Sequence, residues 1–188
     1  MLELLAPAGS PESVRAAVRN GADAVYMGFG NFNARRNAKN FTEEEFSKLT
    51  EYCRIRGVKV YLTLNTLVSD REFPAALEQL IKAVQMGVDA VIVQDLGLLR
   101  AVRKAIPDLP IYASTQMSVH NLDGVKKLAE LGASRVVLAR ELSREEIAYI
   151  CHNSPIEIEV FCHVALCMSY SGQCYMSSNL CGKSGNRG

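Results

Sequence analysis

Short apolar segments of strand type alternate with amphipathic helical segments along most of this chain, and this alternation limits its possible folds most strongly. Most of the strand segments are rich in Val, Ile and Leu without strict alternation, which is typical of parallel strands covered on both faces. The predicted strands are Glu3–Pro7, Ala24–Gly28, Lys59–Asn65, Ala90–Asp95, Ile111–Thr115, Arg135–Arg140 and Ile156–Cys162. This order predicts an α/β fold, a (β/α)8 TIM-type barrel, with a doubly wound sheet as the alternative.

The ends of the predicted helices carry recognisable signals. Ser10 stands before a first-turn proline, and Thr42 and Ser143 each begin a capping box. A pattern of helix end, glycine, short turn and strand is repeated, and Gly57 has the same place before the third strand. The repeats are Asn20–Val25, Met86–Val91 and Leu131–Val136. These signals support a succession of βα units.

The predicted barrel is incomplete at its carboxyl end, because about seven βα units are present where eight are needed. The residues after Cys162 contain no obvious eighth strand and helix. We therefore expect the chain to be a fragment, or the amino-terminal part of a longer protein. Its predicted domains are a barrel body at residues 1–163 and a Cys-rich tail at residues 164–188.

The charge and hydropathy of the chain exclude several classes of function. Lys and Arg total 21 and Asp and Glu total 20, which excludes nucleic-acid binding through bulk positive charge but leaves room for a local basic patch. No apolar run approaches the roughly 20 residues of a membrane helix. The amino terminus also lacks the basic region of a secretory signal. We expect a soluble, cytoplasmic protein with no membrane partner.

Polar residues follow the carboxyl ends of the predicted strands, where barrels of this type carry their functional groups. Arg35 and Arg140 are candidates for holding a small dicarboxylate, since a guanidinium binds a carboxylate through two parallel hydrogen bonds. The candidates for orienting that ligand or moving protons are Asn65, Asp95, Gln116, Glu141 and His163. Some of these side chains could instead cap the following helix, and Arg140 with Glu141 could be only an ion pair at the rim.

The segment 28–40 combines glycines with two aromatic residues and three cations. Bases stack on aromatic rings and phosphates pair with arginine, so this segment is a candidate contact for a substrate or a nucleic acid. The same composition also occurs in ordinary solvated loops.

Four of the six cysteines lie close together, at positions 162, 167, 174 and 181. In a cytoplasmic chain, clustered thiols indicate metal or redox chemistry. The spacing is longer than that of most zinc pairs and suits an iron–sulfur cluster, whereas Cys162 or Cys167 with His163 would be the nucleophile pair of a protease. Cys53 and Cys151 are predicted to be buried in helices. Cys162 is predicted to end the seventh strand and to point into the barrel core.

The residues around these cysteines, EVFCHVALCMSYSGQCYMS at 159–177, resemble the signature of the peptidase U32, or collagenase-like, family. The resemblance covers the whole chain, including ELLAPAG at 3–9, GADAVY at 21–26, LTLNT at 62–66, VQD at 93–95, ASTQ at 113–116 and LAREL at 138–142. Residues 33–38 and 93–97 are most similar to the branch that hydroxylates a cytidine of large-subunit ribosomal RNA. Sister branches act on the wobble uridine of transfer RNA and in oxygen-independent ubiquinone synthesis.

The resemblance implies an RNA-hydroxylating enzyme with a 4Fe-4S iron–sulfur cluster and with prephenate as the hydroxyl source. Cys167 and Cys174 match the cluster ligands of the family, whereas Cys181 has no usual counterpart. The remaining ligands of the family follow in a motif just after Gly188, so we expect an incomplete cluster here. Val164 stands where the family usually carries Gly, which puts the local backbone geometry in question.

Three interpretations of function remain open at this stage. The first is an RNA hydroxylase acting on ribosomal cytidine or on transfer RNA. The second is a protease, as the family name implies. The third is a non-catalytic module that binds ligands at the mouth of the barrel.

Overall fold

The computed structural model describes residues 2–34, 40–164 and 167–181, except for the side chains of Ser177 and Cys181. The strands in these residues are β1 (Leu5–Pro7), β2 (Ala24–Met27), β3 (Lys59–Leu64), β4 (Ala90–Val93), β5 (Ile111–Ala113), β6 (Arg135–Val137) and β7 (Glu157–Glu159). The α-helices are α1 (Pro11–Arg19), α2 (Glu43–Arg54), α3 (Phe73–Gln85), α4 (Leu96–Ala105), α5 (Leu122–Glu130), α6 (Arg144–Asn153) and α7 (Met176–Cys181). A short 3-10 helix, Thr115–Met117, follows β5.

The strand order is the order of the chain, from β1 to β7. The pairs β1–β2, β2–β3, β5–β6 and β6–β7 are all parallel. A doubly wound sheet would reverse its strand order at a switch point, so the sequential order excludes that alternative. The described chain is an incomplete TIM-type α/β barrel, and the predicted fold class is confirmed.

The described residues divide into two compact units, of which the first ends at Ile92. In this unit β1, β2 and β3 run side by side, with Val25 opposite Val60. Helix α1 packs on β1, and α2 and α3 pack on β3. The rings of Phe29 and Phe46 contact each other, with their centroids 4.7 Å apart. Successive residues of β3 from Val60 to Leu64 are buried, so apolar burial on both faces of the sheet forms the core of this unit.

The second unit begins at Val93. Here β5, β6 and β7 are neighbours, α4 packs on β5 and α5 packs on β6. Arg135 on β6 is 7% exposed, which requires its charge to be compensated. Its guanidinium lies 2.7 Å from a Glu157 oxygen, 3.3 Å from a Glu159 oxygen and 4.2 Å from the centroid of the Tyr112 ring. These contacts compensate the buried cation.

The predicted helix signals are confirmed. Ser10, Thr42 and Ser143 are all N-cap residues, and each forms a capping box with the third residue of its helix. Such caps satisfy backbone N–H groups that have no partner within the helix and stabilise it by about 1 kcal/mol each. The helices therefore begin where the sequence predicts. The glycines of the repeat, at 21, 57, 87 and 132, have positive φ angles.

The structure also corrects several predictions. Each observed strand is shorter than predicted: β1 begins two residues later, β7 begins one residue later and ends three residues earlier, and the other five strands end one to three residues earlier. After β4 and β5 the reason is that Asp95 and Ser114 already cap the following helices. Cys162 lies after β7 and is exposed, so it does not point into a core. Cys151 is also exposed, because it lies on the solvent side of α6, whereas Cys53 is fully buried as predicted. Burial raises the pKa of the Cys53 thiol to about 11.

Helix α7 was not predicted, because the tail carries no helical hydrophobic pattern. Among the residues that the structure describes, none of the helices is long and apolar enough to cross a membrane.

Candidate functional site

Ser171, in the Cys-rich tail, is the centre of a hydrogen-bond network in the second unit. It is only 1% exposed. Its backbone N–H and its hydroxyl donate to Glu141 Oε1 over 2.8 and 3.0 Å. Its Oγ accepts from the backbone N–H and from Nε of Arg140, both at 3.2 Å. Because Arg140 and Glu141 follow β6, the network fixes the tail at the carboxyl end of that strand.

Glu141 connects the tail to a second loop, which follows β5. Its Oε2 lies 3.0 Å from Nε2 of His120, and Nδ1 of His120 lies 2.8 Å from the carbonyl oxygen of Ser118. Tyr170 packs its ring edge-on against the imidazole, with the centroids 6.0 Å apart. The carboxylate of Glu141 is therefore shared between the tail and the loop after β5.

The environment of Glu141 lowers its pKa. Partial burial acts in the opposite direction and is the largest single contribution. The hydrogen bonds that Glu141 accepts from the Ser171 N–H, the Ser171 hydroxyl, its own backbone N–H and His120 together outweigh burial, because each favours the charged carboxylate. Glu141 therefore stays ionised at neutral pH, as an acceptor needs to be in this network.

Cys167 lies beside the same arginine. The pKa of its thiol is lowered, first of all by a hydrogen bond from the backbone of Ser169. Burial acts in the opposite direction, and the hydrogen bond and positive charge of Arg140 lower the pKa further. The residue is exposed. An accessible thiol with a lowered pKa is typical of a reactive or metal-binding cysteine.

Gly172 permits the close approach of the tail to the loop after β5. Its φ angle is +75°, a conformation that residues with a Cβ rarely adopt. A Cβ on this residue would collide with the carbonyl oxygen of Gln116 and would lie 2.9 Å from both the carbonyl carbon of Gln116 and Oγ of Ser118. Ser118 itself has a positive φ of 56°, and its hydroxyl donates to the Ser171 carbonyl. The two loops fit only because residue 172 has no side chain.

Gln116 has an acceptor without a partner. Its Oε1 is buried and accepts no hydrogen bond from the residues that the structure describes, while its backbone carbonyl accepts from Nε2 of Gln94 at 3.4 Å. Buried polar atoms are normally hydrogen-bonded, so this oxygen is suited to accept from a donor on a ligand or from a water molecule.

Asp95, after β4, is the N-cap of α4, and its Oδ1 accepts from the N–H of Leu98 at 2.8 Å. Its cap role is one of the alternatives that the sequence left open.

In the first unit, a separate polar group lies after β3. Oδ1 of Asn65 accepts from the backbone N–H of Ala34 at 3.1 Å. Asn33 is 3% exposed and donates through Nδ2 to Oδ1 of Asn40 at 3.0 Å. Asn40 in turn donates to the carbonyl oxygen of Gly30 at 3.0 Å. These amides hold the ends of the loop after β2 against the carboxyl end of β3.

The structure thus brings three of the predicted site residues together, namely Arg140, Glu141 and Cys167. Asn65, Asp95 and Gln116 also follow strands at their carboxyl ends, as predicted. His163 is exposed and is not part of the Ser171 network. Arg35 lies outside the described residues. Catalytic and binding roles for these residues stay predictions.

Sequence reasoning missed His120 and Ser171. His120 follows β5 closely, so the same rule that selected Gln116 could have found it. Ser171 gave no local signal, since its burial depends on contacts with residues thirty positions away.

The site can be tested for its fit to an iron–sulfur cluster. Cys167 fits as a ligand, because it is exposed and its lowered pKa favours the thiolate that iron requires. Cys174 is partly exposed and is not disulfide-bonded. No group of three or more His, Cys, Asp or Glu side chains able to hold a metal ion occurs within the described part of the chain. Two thiols therefore fit such a cluster, but they would need further ligands.

Comparison with protein families gives one match over nearly the whole chain. The sequence profile of a family described as Peptidase family U32 matches residues 9–188. The chain is 42% identical over 187 residues to a protein of Escherichia coli named 23S rRNA 5-hydroxycytidine C2501 synthase, covering 100% of this chain and 28% of that protein. It is 40% identical over 187 residues to tRNA hydroxylation protein P1 of Bacillus subtilis, covering 99% and 44%.

A collagenase of Porphyromonas gingivalis is 38% identical over 200 residues, covering 99% of this chain and 47% of that protein. The chain therefore spans less than half the length of these curated relatives.

Solved structures share the fold. The structure of the U32 peptidase Mk0906 matches with a TM-score of 0.72 and 19% identity, over 85% of this chain and 68% of that one. Phosphoenolpyruvate phosphomutase from Streptomyces platensis matches with a TM-score of 0.61 and 17% identity, over 85% and 68%. At such low identities the likeness concerns the barrel architecture alone.

Proposed function

Because this chain belongs to peptidase family U32, we propose that its full-length protein hydroxylates RNA, with a cytidine of large-subunit ribosomal RNA as substrate. The observation that carries this proposal is the 42% identity, over the whole chain, to a relative named as a 5-hydroxycytidine synthase of 23S rRNA. The proposal includes an iron–sulfur cluster and prephenate as the hydroxyl source, both of which come from the family resemblance.

In this proposal Cys167 and Cys174 are two of the cluster ligands. A bound cluster would supply electron transfer and an electron-accepting iron at the site. The role of Arg140 is to hold the Cys167 side chain in place and to favour its thiolate, since its guanidinium lies beside that sulfur. Glu141 and Ser171 fix the tail that carries both thiols.

Arg140 is also suited to bind a carboxylate of the small co-substrate. Only its Nε is directed to Ser171, and a guanidinium has four further N–H groups. A planar donor group of this kind recognises carboxylates in preference to neutral ligands. The unpartnered Oε1 of Gln116 could accept from a hydroxyl group of the same ligand.

The test is to delete the gene of the full-length protein and to compare the nucleosides of ribosomal and transfer RNA by mass spectrometry. We expect 5-hydroxycytidine to disappear from ribosomal RNA and to return when the wild-type gene is supplied. An Arg140→Gln gene should restore less than a tenth of it. A gene carrying Arg144→Gln, which removes an exposed charge on α6, should restore it fully.

Unchanged 5-hydroxycytidine in the deletion strain would refute the proposal. Loss of a hydroxylated uridine from transfer RNA instead would favour the second candidate, which the 40% identity to a tRNA hydroxylation protein supports.

The relative named as a collagenase favours a protease as a further candidate. The Ser171 network does not support it, however, because the Ser171 hydroxyl donates to Glu141, and Glu141 separates it from His120. In a serine protease the imidazole touches the serine oxygen directly and acts as its base. Cleavage of gelatin by the purified protein, together with unchanged RNA nucleosides, would establish the protease.

A further inference from the structure

A basic groove of about 560 Å³ lies in the first unit, at the amino ends of β2 and β3. Three arginines line it, two from α1 and one that follows α2, and Tyr52 completes its wall. The groove is at the opposite ends of these strands from Asn65, which follows β3. It is therefore distinct from the polar groups that follow the strands.

Two of the arginines, Arg15 and Arg19, are four residues apart on α1. Residues at this spacing lie on the same face of a helix, one turn apart. Both are exposed. Their guanidinium groups can therefore contact successive negative groups of one ligand.

The third arginine, Arg56, is held in place by Tyr52. Its guanidinium carbon lies 3.8 Å from the centroid of the Tyr52 ring, and its Nη1 donates to the backbone carbonyl of Tyr52 at 3.1 Å. Ordering a long side chain on binding normally costs about 0.5–1.5 kcal/mol. Because Arg56 is already ordered, much of that cost is absent.

The charge of the groove is positive although the whole chain is nearly neutral, with a net charge of +1. Asp23 is the acidic residue in its lining. The carboxylate of Asp23 accepts a hydrogen bond from the backbone N–H of Leu4 at 2.8 Å. Three cations therefore face one carboxylate that already binds a backbone group, and the groove attracts anions.

We propose that this groove binds the phosphate backbone of RNA, at a distance from the base that reacts; the proposal rests on the proposed function. Arginine is the preferred partner of phosphate oxygens, because its planar guanidinium can donate two hydrogen bonds to one phosphate group. Strand β3 has six residues, so the groove and Asn65 are separated by about 20 Å at 3.3 Å per residue. A small anion could occupy only one of these places, whereas a polymer contacts both.

The test uses the full-length protein and a fluorescein-labelled 23S rRNA fragment, with affinity measured by anisotropy from 50 to 300 mM salt. The variant is Arg15→Gln/Arg19→Gln/Arg56→Gln. Each lost phosphate contact lowers the slope of log affinity against log salt by about 0.7–0.9. We expect the slope to fall by about 2 and the affinity at 100 mM salt to fall by about tenfold or more.

A matched control removes the same charge elsewhere. Arg100→Gln/Lys104→Gln/Lys126→Gln changes three exposed cations on α4 and α5 of the second unit. We expect this variant to bind the RNA fragment within twofold of wild type. An equal loss of affinity in both variants would mean that bulk charge attracts the RNA, which would overturn the proposal.

Two further outcomes would also overturn it. Arg19 lies in the last turn of α1, where a cation stabilises the helix dipole. If the groove variant lowers only the melting temperature and leaves RNA affinity unchanged, the arginines have that structural role alone. A low concentration of cytidine monophosphate could also bind the groove while the groove variant keeps the wild-type slope of RNA affinity against salt. The groove would then be a site for small anions and not for RNA.

The result is separable from that of the gene deletion. If hydroxylated nucleosides are unchanged in the deletion strain but the groove variant still loses RNA affinity, the proposed function fails and the RNA surface stands. If hydroxylation is lost on deletion and the groove variant binds RNA normally, the proposed function stands and the groove proposal fails.

Discussion

Replacement of Gly172 by alanine tests whether the tail is docked through the contacts described above. The glycine has a φ angle of +75°, so alanine there costs roughly 1–2 kcal/mol from the backbone alone. The new Cβ would also overlap the carbonyl of Gln116, which belongs to a 3-10 helix and cannot move without its neighbours. The tail must therefore move away from the loop after β5.

The displacement removes at least one hydrogen bond between Ser171 and the carboxylate of Glu141. A hydrogen bond to a charged group contributes about 1.5–3 kcal/mol. Together with the backbone cost, the docked tail should be destabilised by about 2.5–5 kcal/mol. Since 1.4 kcal/mol corresponds to a factor of ten, the tail should open at least about 60 times more often.

Amide hydrogen exchange of Ser171 measures this opening, because its N–H donates to Glu141 in the docked state. The control is Gly87→Ala in the first unit, which has a φ of +90° and no atom within 4 Å of the new Cβ. The control should lower the melting temperature slightly and leave exchange at Ser171 unchanged. Equal exchange at Ser171 in wild type and Gly172→Ala would refute the docking of the tail.

Two further predictions concern single side chains. The folded-state pKa of Glu141 is lowered, so its stabilising effect is present above the unfolded pKa of about 4.3 and is lost as the pH falls through the folded pKa. Docking of the tail, followed by amide exchange from pH 6 to 3, should weaken below about pH 4 in wild type, and this dependence should be smaller in Glu141→Gln. Cys167 should react with iodoacetamide at pH 7 while Cys53 does not, because one thiol has a lowered pKa and the other is buried with a pKa of about 11. Arg140→Gln should slow alkylation of Cys167 several-fold, as followed by peptide mass spectrometry; an unchanged rate would contradict its role beside the sulfur.

The sequence predicted the architecture well because the relevant signals are local. A capping residue such as Thr42 and a glycine such as Gly87 determine helix ends through their immediate neighbours. Most strand ends were placed too late, because a residue such as Asp95 or Ser114 keeps an extended backbone although it already caps the following helix.

The arrangement of the site was harder to predict, because it depends on contacts between residues far apart in the chain. The burial of Ser171 arises from Glu141 and Arg140, thirty-one residues or fewer before it, and no pattern around Ser171 signals this. Cys162 was wrongly assigned to a core because an apolar strand segment precedes it, although the strand ends at Glu159. The period of the apolar residues and the spacing of the cap signals indicate which residues form a helix or a strand. They do not indicate which later loop packs against that helix or strand.

The long separation between Glu141 and Ser171 also sets an order of events during synthesis. Glu141 precedes Ser171 by thirty residues, which a ribosome adds in about 1.5–6 s at 5–20 residues per second. The ribosome has made β5, β6 and the loop that holds His120 before that interval begins. The Glu141 carboxylate has no contact with Ser171 until the interval ends. The part of the tail that holds Cys167 therefore docks onto a strand end that is made before it, and the contact of this thiol with Arg140 forms only after β6 exists.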